Sequence, residues 1–339
     1  MTHEFKDIVH QANANQQKGF KSVLATVVFL EGSSYRKPGV RMLISENGKM
    51  VGAVSGGCVE NEVKRQAESV FQNGNAKIIT YDGRYRLGCE GILYILIEPF
   101  SVSDEFLNSF NNALESREKF KIGSYYIKED QATGKFGSVV YFNNKSSFAF
   151  NDFIDLKSLE GLHVFSQTMK PSTKLLIIGG EHDAVKLCNM ASSLGWEVDV
   201  VTSIKDPKLL SDFPGATSVS AQTPEIMDFN LDNETVVVLM THNYAQDLQY
   251  LLKLASHTPR YIGILGSAKR RDQLQGDLFN YKDDLTEEFL STIYSPAGLN
   301  IGAITPEEIA LSIISEILVV VRETKPKSLR SISGKIHTP

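Results

Sequence analysis

The residues with the clearest chemical potential are two of the three cysteines, Cys58 and Cys89. Cys58 stands in Ser55-Gly56-Gly57-Cys58-Val59-Glu60, where paired glycines end an apolar run and helical spacing begins. A thiol at a helix start lies among unsatisfied N–H groups and at the positive end of the macrodipole. Its pKa is expected to fall, so that a thiolate, persulfide or phosphate can be held there. The competing reading is a small cysteine buried in a tight turn, and spacing alone leaves both open. Cys89 also lies between glycines, in Leu87-Gly88-Cys89-Glu90-Gly91. Two thiols facing one cleft could bind a soft ligand, pass sulfur between them, or form a redox disulfide. Zinc is the weaker alternative, because paired C-x-x-C spacing and nearby histidines are missing. Cys188 occupies an apolar-periodic helical position and reads as core.

A second group could bind an oxyanion. Ser33, Ser34, Arg36 and Lys37 lie between Gly32 and Gly39, with Arg41 just beyond; hydroxyls and cations so close together can meet a phosphate or form a solvated turn. Further along, a buried strand leads into Gly179-Gly180-Glu181-His182-Asp183-Ala184. In the G-x-G-x-x-G/A register the middle glycine is Glu181, whose carboxylate would crowd and repel a diphosphate. Thr202 and Ser203 stand where an acidic ribose ligand is expected, while Asp199 lies inside its strand. Both features argue against ordinary NAD(P) binding. Gly266-Ser267-Ala268-Lys269-Arg270-Arg271 starts a helix with three cations that oppose its dipole, a conflict an anionic ligand would relieve. Gly298 and Gly302 lie in a loop able to line the same crevice, and Thr305, Pro306 and Glu308 form a capping box after it. His182 and His242-Asn243, each just past a strand end, are candidate polar contacts.

The elements that must carry these residues follow from hydrophobic period. A β-branched strand at 23–30 feeds the cationic loop, and a hairpin follows with strands at 41–45 and 50–54 around Asn47-Gly48. Residues 59–72 are spaced as an amphipathic helix, and strands follow at 76–81 and 92–99, giving an N-terminal α+β domain over 1–101. Residues 102–172, with a helix at 104–117 and polar–aromatic alternation, read as a hairpin-rich extension or linker. From 173 to 325, strands at 174–180, 198–202, 235–240 and 261–266 alternate with helices. That pattern predicts a Rossmann-like, doubly wound parallel sheet, so the fold class is α/β, with a tail at 326–339. The apolar final helix, 305–321, packs on its own sheet or on a partner, and a homodimer is expected.

The composition bounds the function classes. A chain of 339 residues with 42% hydrophobic content favours two folded domains, and a net charge of −5 disfavours a nucleic-acid partner. The first residues show no apolar signal region, and no apolar run reaches bilayer length, so secretion and membrane insertion are not expected. Three cysteines then read as thiols of a cytoplasmic protein.

E-G-S-S-Y-R-K-P-G-V-R-M (31–42), G-A-V-S-G-G-C-V-E (52–60) and L-G-C-E-G-I (87–92) with I-E-P (97–99) together resemble the N-terminal signatures of the XdhC/CoxI family of xanthine dehydrogenase accessory factors. Y-I-G-I-L-G-S-A-K-R-R (261–271) and S-P-A-G-L-N-I-G-A-I-T-P-E-E-I-A (295–310) are similar to its C-terminal ones. The resemblance covers most of 20–100 and 173–320. It implies a cytosolic chaperone that transiently binds the molybdenum cofactor (molybdopterin), protects it, and delivers it in sulfurated form to an apo-molybdoenzyme of the xanthine dehydrogenase type, in concert with a cysteine desulfurase. Cys58 would then meet molybdenum or the transferred sulfur, with Cys89 as second candidate. Arg36, Lys37 and Arg41 would face the phosphate or dithiolene side, with Ser33, Ser34, Ser55, Gly56, Gly57 and Glu60 around them. Glu181 departs from the family's G-x-G-like turn. Two alternatives stand beside it: an NAD(P)-dependent oxidoreductase built on the second domain, and a thiol redox or sulfur-carrier protein that uses the same cysteines.

Overall fold

The computed structural model describes residues 2–32, 37–83, 91–143, 145–151, 154, 159–257 and 259–332. The chain divides into two compact units, Met1–Pro171 and Ser172–Pro339.

The first unit begins with a helix that the hydrophobic pattern above does not include, α1 (Thr2–Gln17), whose Phe5, Ile8, Val9 and Ala12 fall on one buried face. Six antiparallel strands follow around it: β1 (Ser22–Glu31), β2 (Arg41–Ser45), β3 (Met50–Gly52), β4 (Ala76–Asp82), β5 (Ile92–Pro99) and β7 (Thr133–Gly134), in the order β3-β2-β1-β5-β4-β7. Alternation along β1 sends Val23, Ala25 and Val27 to one face, where they meet Val59, Val63, Ala67 and Val70 of helix α2 (Cys58–Asn73). Leu24 faces the other way with Leu43, into a core shared with α1.

Of the two readings of 102–172, the structure has the hairpin-rich extension and not a linker. These residues form α3 (Asp104–Glu115) and a second antiparallel sheet of β10 (His163–Met169), β6 (Phe120–Tyr126), β8 (Gly137–Tyr141) and β9 (Ser147–Ala149), in that order. Phe106, Phe110, Phe120, Phe142 and Phe150 lock this segment onto Phe5 and Phe100, with ring centroids as close as 4.9 Å for Phe100 and Phe150. A cluster of this size contributes burial plus edge-to-face attraction. Residues 102–171 thus belong to the first unit, and the division at 171/172 falls one residue from the boundary expected at 172/173.

The second unit is a parallel sheet of β11 (Lys174–Ile178), β12 (Glu197–Thr202), β13 (Ser218–Ala221), β14 (Thr235–Leu239), β15 (Tyr261–Ile264) and β16 (Ile293–Tyr294). Their spatial order, β13-β12-β11-β14-β15-β16, is 3-2-1-4-5-6 counted within the unit, the Rossmann arrangement. Helices cover both faces, which is why β14 is buried throughout and reads as a continuous β-branched run. Leu175, Ile177, Val236 and Val238 pack on α4 (His182–Ser193) and α8 (Pro306–Val321). The opposite face meets α5 (Tyr244–Leu254) and α6 (Ala268–Tyr281). Ala310, Ile313, Ile314 and Ile317 of α8 thus pack on their own sheet. Cys188 is fully buried there, its thiol pushed up to about 11 by desolvation. Among the described residues no helix is long and apolar enough to cross a membrane.

Candidate functional site

The hairpin β2–β3 ends at Gly52, and the chain turns through Ser55-Gly56-Gly57 into α2, whose first residue is Cys58. Gly57 is the N-cap, with φ 124°, a backbone state that excludes most side chains. Gly56 has no such need. Among the described residues, a Cβ at either glycine would meet nothing within 4 Å, so these leave the outer side of the turn open. Glycine at 56 is thus required by neither a positive φ nor packing against the described residues.

The inner side is held by Glu60. Its carboxylate accepts from the N–H groups of Ser55 and Gly57 at 2.7 Å each and faces the Ser55 hydroxyl at 3.3 Å. This is the reciprocal half of a capping box. Burial alone would raise the Glu60 pKa, but hydrogen bonds from the backbone of Ser55, Glu60 and Gly57 outweigh it and hold the carboxyl below its ordinary value. The sequence pattern predicts loop N–H groups free for a ligand, with Glu60 against the cofactor. Two of those groups are instead taken by Glu60, which acts as the clamp of the turn. The signal in the sequence is a Glu three residues after the N-cap.

Arg41, expected on the cationic loop, is withdrawn into the unit and only 7% exposed. Its Nη1 donates to Gly39 O at 3.0 Å and to Gln167 Oε1 at 2.5 Å, and the guanidinium lies 5.5 Å from the Phe5 ring centroid. Burial pulls it down to about 10, against the opposing charge of Glu98. Glu98 is itself fully buried, pushed up to about 7 by desolvation against bonds from Ser138 and the charge of Arg41. A side chain so enclosed cannot meet a large ligand at the surface. Lys37 is exposed. Ser33, Ser34, Arg36 and Cys89 lie outside the described residues.

In the second unit, Gly179 and Gly180 follow β11 and line a crevice of about 120 Å³, whereas His182, the first residue of α4, is not part of its lining. Gly179 is needed by the fold, since a Cβ there would sit 2.3 Å from Met240 O. The cavity is well below the roughly 300–1,000 Å³ of ordinary ligand sites. Its polar walls are largely spent on one another: Tyr250 donates to Gln222 O at 3.1 Å, the Gln222 N–H to Thr202 O at 3.1 Å, and the Thr241 hydroxyl to Asp247 at 2.6 Å. Glu181 caps α4 without a side-chain capping bond, and Asp183 sits in its first turn. His242, half-exposed at φ 55°, brings Nε2 to 3.8 Å from Asp183. Two carboxylates thus surround a helix N-terminus that a diphosphate would need.

Two of the three cations at the start of α6 pair with carboxylates within the chain. Arg270 reaches Asp247, 1% exposed, at 2.5 Å, and Arg271 reaches Asp272 at 2.7 Å. The Arg270 side chain lies across Gly266, where a Cβ would be 2.5 Å from its Cδ, and Ser267 is the N-cap. The anion expected as a ligand for Arg270 is therefore a side chain of α5, which no local pattern announces. Gly298 has the same character: its N–H donates to Glu316 at 2.8 Å and a Cβ would fall 2.4 Å from Ser312 Oγ. Gly302, at φ 76°, faces open space.

Comparison with known proteins agrees with this division. The XdhC and CoxI family matches residues 16–82, and the XdhC Rossmann domain matches residues 175–317. The chain is 30% identical over 319 residues to a Bacillus subtilis (strain 168) protein named as a probable xanthine dehydrogenase subunit, spanning 88% of this chain and 92% of that protein. It is 25% identical over 328 residues to the molybdenum cofactor insertion chaperone PaoD of Escherichia coli (strain K12), spanning 94% and 90%. A crystal structure described as a xanthine dehydrogenase from Bacillus halodurans superposes with a TM-score of 0.76 at 27% identity, over 94% of this chain and 96% of that one. The chain belongs to the XdhC and CoxI family.

Proposed function

We propose that this chain is a maturation factor that takes the molybdenum cofactor as cargo and assists its sulfuration and insertion into a molybdoenzyme of the xanthine dehydrogenase type. The observation that carries the reading is the turn before α2: a cysteine at the first helical position, preceded by two glycines whose outer side is open among the described residues and fixed from within by Glu60. A thiol is a soft donor suited to molybdenum or to sulfur in transfer. An exposed backbone lets a bulky pterin approach closely. The relatives named for xanthine dehydrogenase and for cofactor insertion support the same cargo and client.

On this reading Cys58 holds the metal or the transferred sulfur, Gly56 and Gly57 supply the approach, and Glu60 keeps the turn in register. Cys89 is the second thiol, and Ser33, Ser34, Arg36 and Lys37 line the phosphate side. Arg41 belongs to the support of the loop. A cysteine desulfurase is the sulfur source, and the factor acts in the cytoplasm as a homodimer. NAD(P) has little room in the crevice of the second unit.

The test is anaerobic binding of isolated molybdenum cofactor to wild type and to Cys58→Ala, with NAD(P) titrated in parallel. Tight binding that falls at least tenfold in the variant is expected. Cofactor binding unchanged by the substitution would remove Cys58 from the site, and nucleotide binding without cofactor binding would overturn the reading.

A further inference from the structure

The first unit contains a cavity that the proposed function does not use. It lies at the far end of α2 from Cys58, about 24 Å away for a 16-residue helix. Its volume is about 590 Å³, inside the roughly 300–1,000 Å³ typical of small-molecule sites. The walls are mostly apolar, with Ala12, Phe20, Val23, Val70, Phe71 and Pro99 among them.

The polar side chains on the wall are mostly committed. Gln16 accepts from the Val102 N–H at 3.2 Å, Ser22 from Asn15 at 2.9 Å, and Asn73 from the Asn75 N–H at 2.8 Å. Lys21 differs. It is exposed at the rim, and its Nζ makes a 3.3 Å contact to Phe71 O, one of the last carbonyls of α2. This leaves an ammonium with further donors beside an apolar chamber, with no other cation among the described residues of the wall.

We propose that this cavity is a binding site for a small amphipathic monoanion: an apolar body of about ten carbons inside, with a carboxylate or similar head on Lys21. A concave chamber with one cation at its edge recognises such a molecule by burial of the body and one charge-assisted hydrogen bond. The site is separate from the cysteine turn and stands whether or not the proposed cargo is correct.

The probes are decanoate, decan-1-ol and decyltrimethylammonium, titrated calorimetrically into the full-length protein and into Lys21→Gln and Ser101→Trp. Ser101 is an exposed residue of the wall whose backbone N–H donates to Phe150 O at 2.9 Å, a bond that tryptophan retains while adding bulk at the wall and giving up the longer 3.4 Å bond from the hydroxyl to the same oxygen. Saturable one-to-one binding is expected in the order anion, alcohol, cation. Lys21→Gln should weaken decanoate about five- to tenfold, as loss of one charged hydrogen bond at a solvated rim would, and leave decanol within about twofold. Ser101→Trp, checked for unchanged thermal midpoint, should weaken all three. Absence of saturable decanoate binding, equal affinity for the anion and cation, or decanoate binding unaffected by either variant overturns the proposal.

Discussion

Replacing Glu60 tests the geometry of the cysteine turn directly. The carboxylate holds two backbone donors, Ser55 and Gly57, at 2.7 Å each, and the residue is 9% exposed. Glu60→Ala removes both acceptors. Charged hydrogen bonds are worth about 1.5–3 kcal/mol apiece when their partner is left buried. Here Ser55 is half-buried and Gly57 exposed, so water can reach the freed donors and the loss approaches that of a helix cap, about 1–2 kcal/mol. Glu60→Gln retains one acceptor oxygen and should lose about half as much. The appropriate control is Glu62→Ala on the same helix. Glu62 pairs with Arg65 at 2.6 Å, but the two side chains are 38% and 66% exposed, and such pairs contribute about 0.5 kcal/mol or less. Hydrogen exchange of the peptide containing Ser55 and Gly57 reads the local opening. Since about 1.4 kcal/mol corresponds to a factor of ten, exchange should quicken roughly five- to thirtyfold in Glu60→Ala and at most about twofold in Glu62→Ala. Equal rates in the two variants would refute the clamp.

Glu98 sets a second expectation. Its folded pKa of about 7 exceeds the ordinary 4.5, so between those values the folded chain keeps a proton that the unfolded chain has released. Stability should therefore fall as pH rises through this window, by at most about 3 kcal/mol. The difference in thermal midpoint between wild type and Glu98→Gln, followed from pH 5 to 8, should show that fall, and a constant difference would refute it. In the second unit, Asp247→Ala leaves Arg270 without its 2.5 Å partner. A loss of about 2–4 kcal/mol is expected, below the full cost for a wholly buried pair because Arg270 is partly exposed, and Trp196, the single tryptophan, reports unfolding of that unit by fluorescence. Gly179→Ala would force a Cβ to 2.3 Å from Met240 O at φ 152°; a loss of at least about 2 kcal/mol is expected in the same assay. Alkylation mapped by mass spectrometry should leave Cys188 unmodified in the native state, because its thiol is buried and pushed up to about 11. Labelling of Cys188 at the rate of a free thiol would contradict its place in the core.

What could be read ahead of the structure depended on how local each cause is. Strands β11, β12, β14 and β15 announce themselves because both faces of a parallel sheet are covered, so their β-branched runs are continuous. The capping box at Thr305 is equally local, with the Glu308 N–H donating to Thr305 Oγ1 at 3.3 Å and the Thr305 N–H donating back to Glu308 at 3.0 Å. Helix α1 was also legible in principle, from the spacing of Phe5, Ile8, Val9 and Ala12. The alternation in 120–142 does describe strands, but what makes them core is a set of phenylalanines meeting from α1, α3 and two sheets, which no window of sequence contains. Charge is the least local property of all. Arg41 and Arg270 look alike in the sequence, each a cation beside glycines at the edge of an element. Arg41 is enclosed by Gln167, 126 residues away, and Arg270 by Asp247, 23 residues away. A cation's neighbours in sequence show that it needs an anion or an acceptor, and only the fold shows whether the chain already supplies one. At Gly56, by contrast, neither a positive φ nor any contact with the described residues calls for glycine.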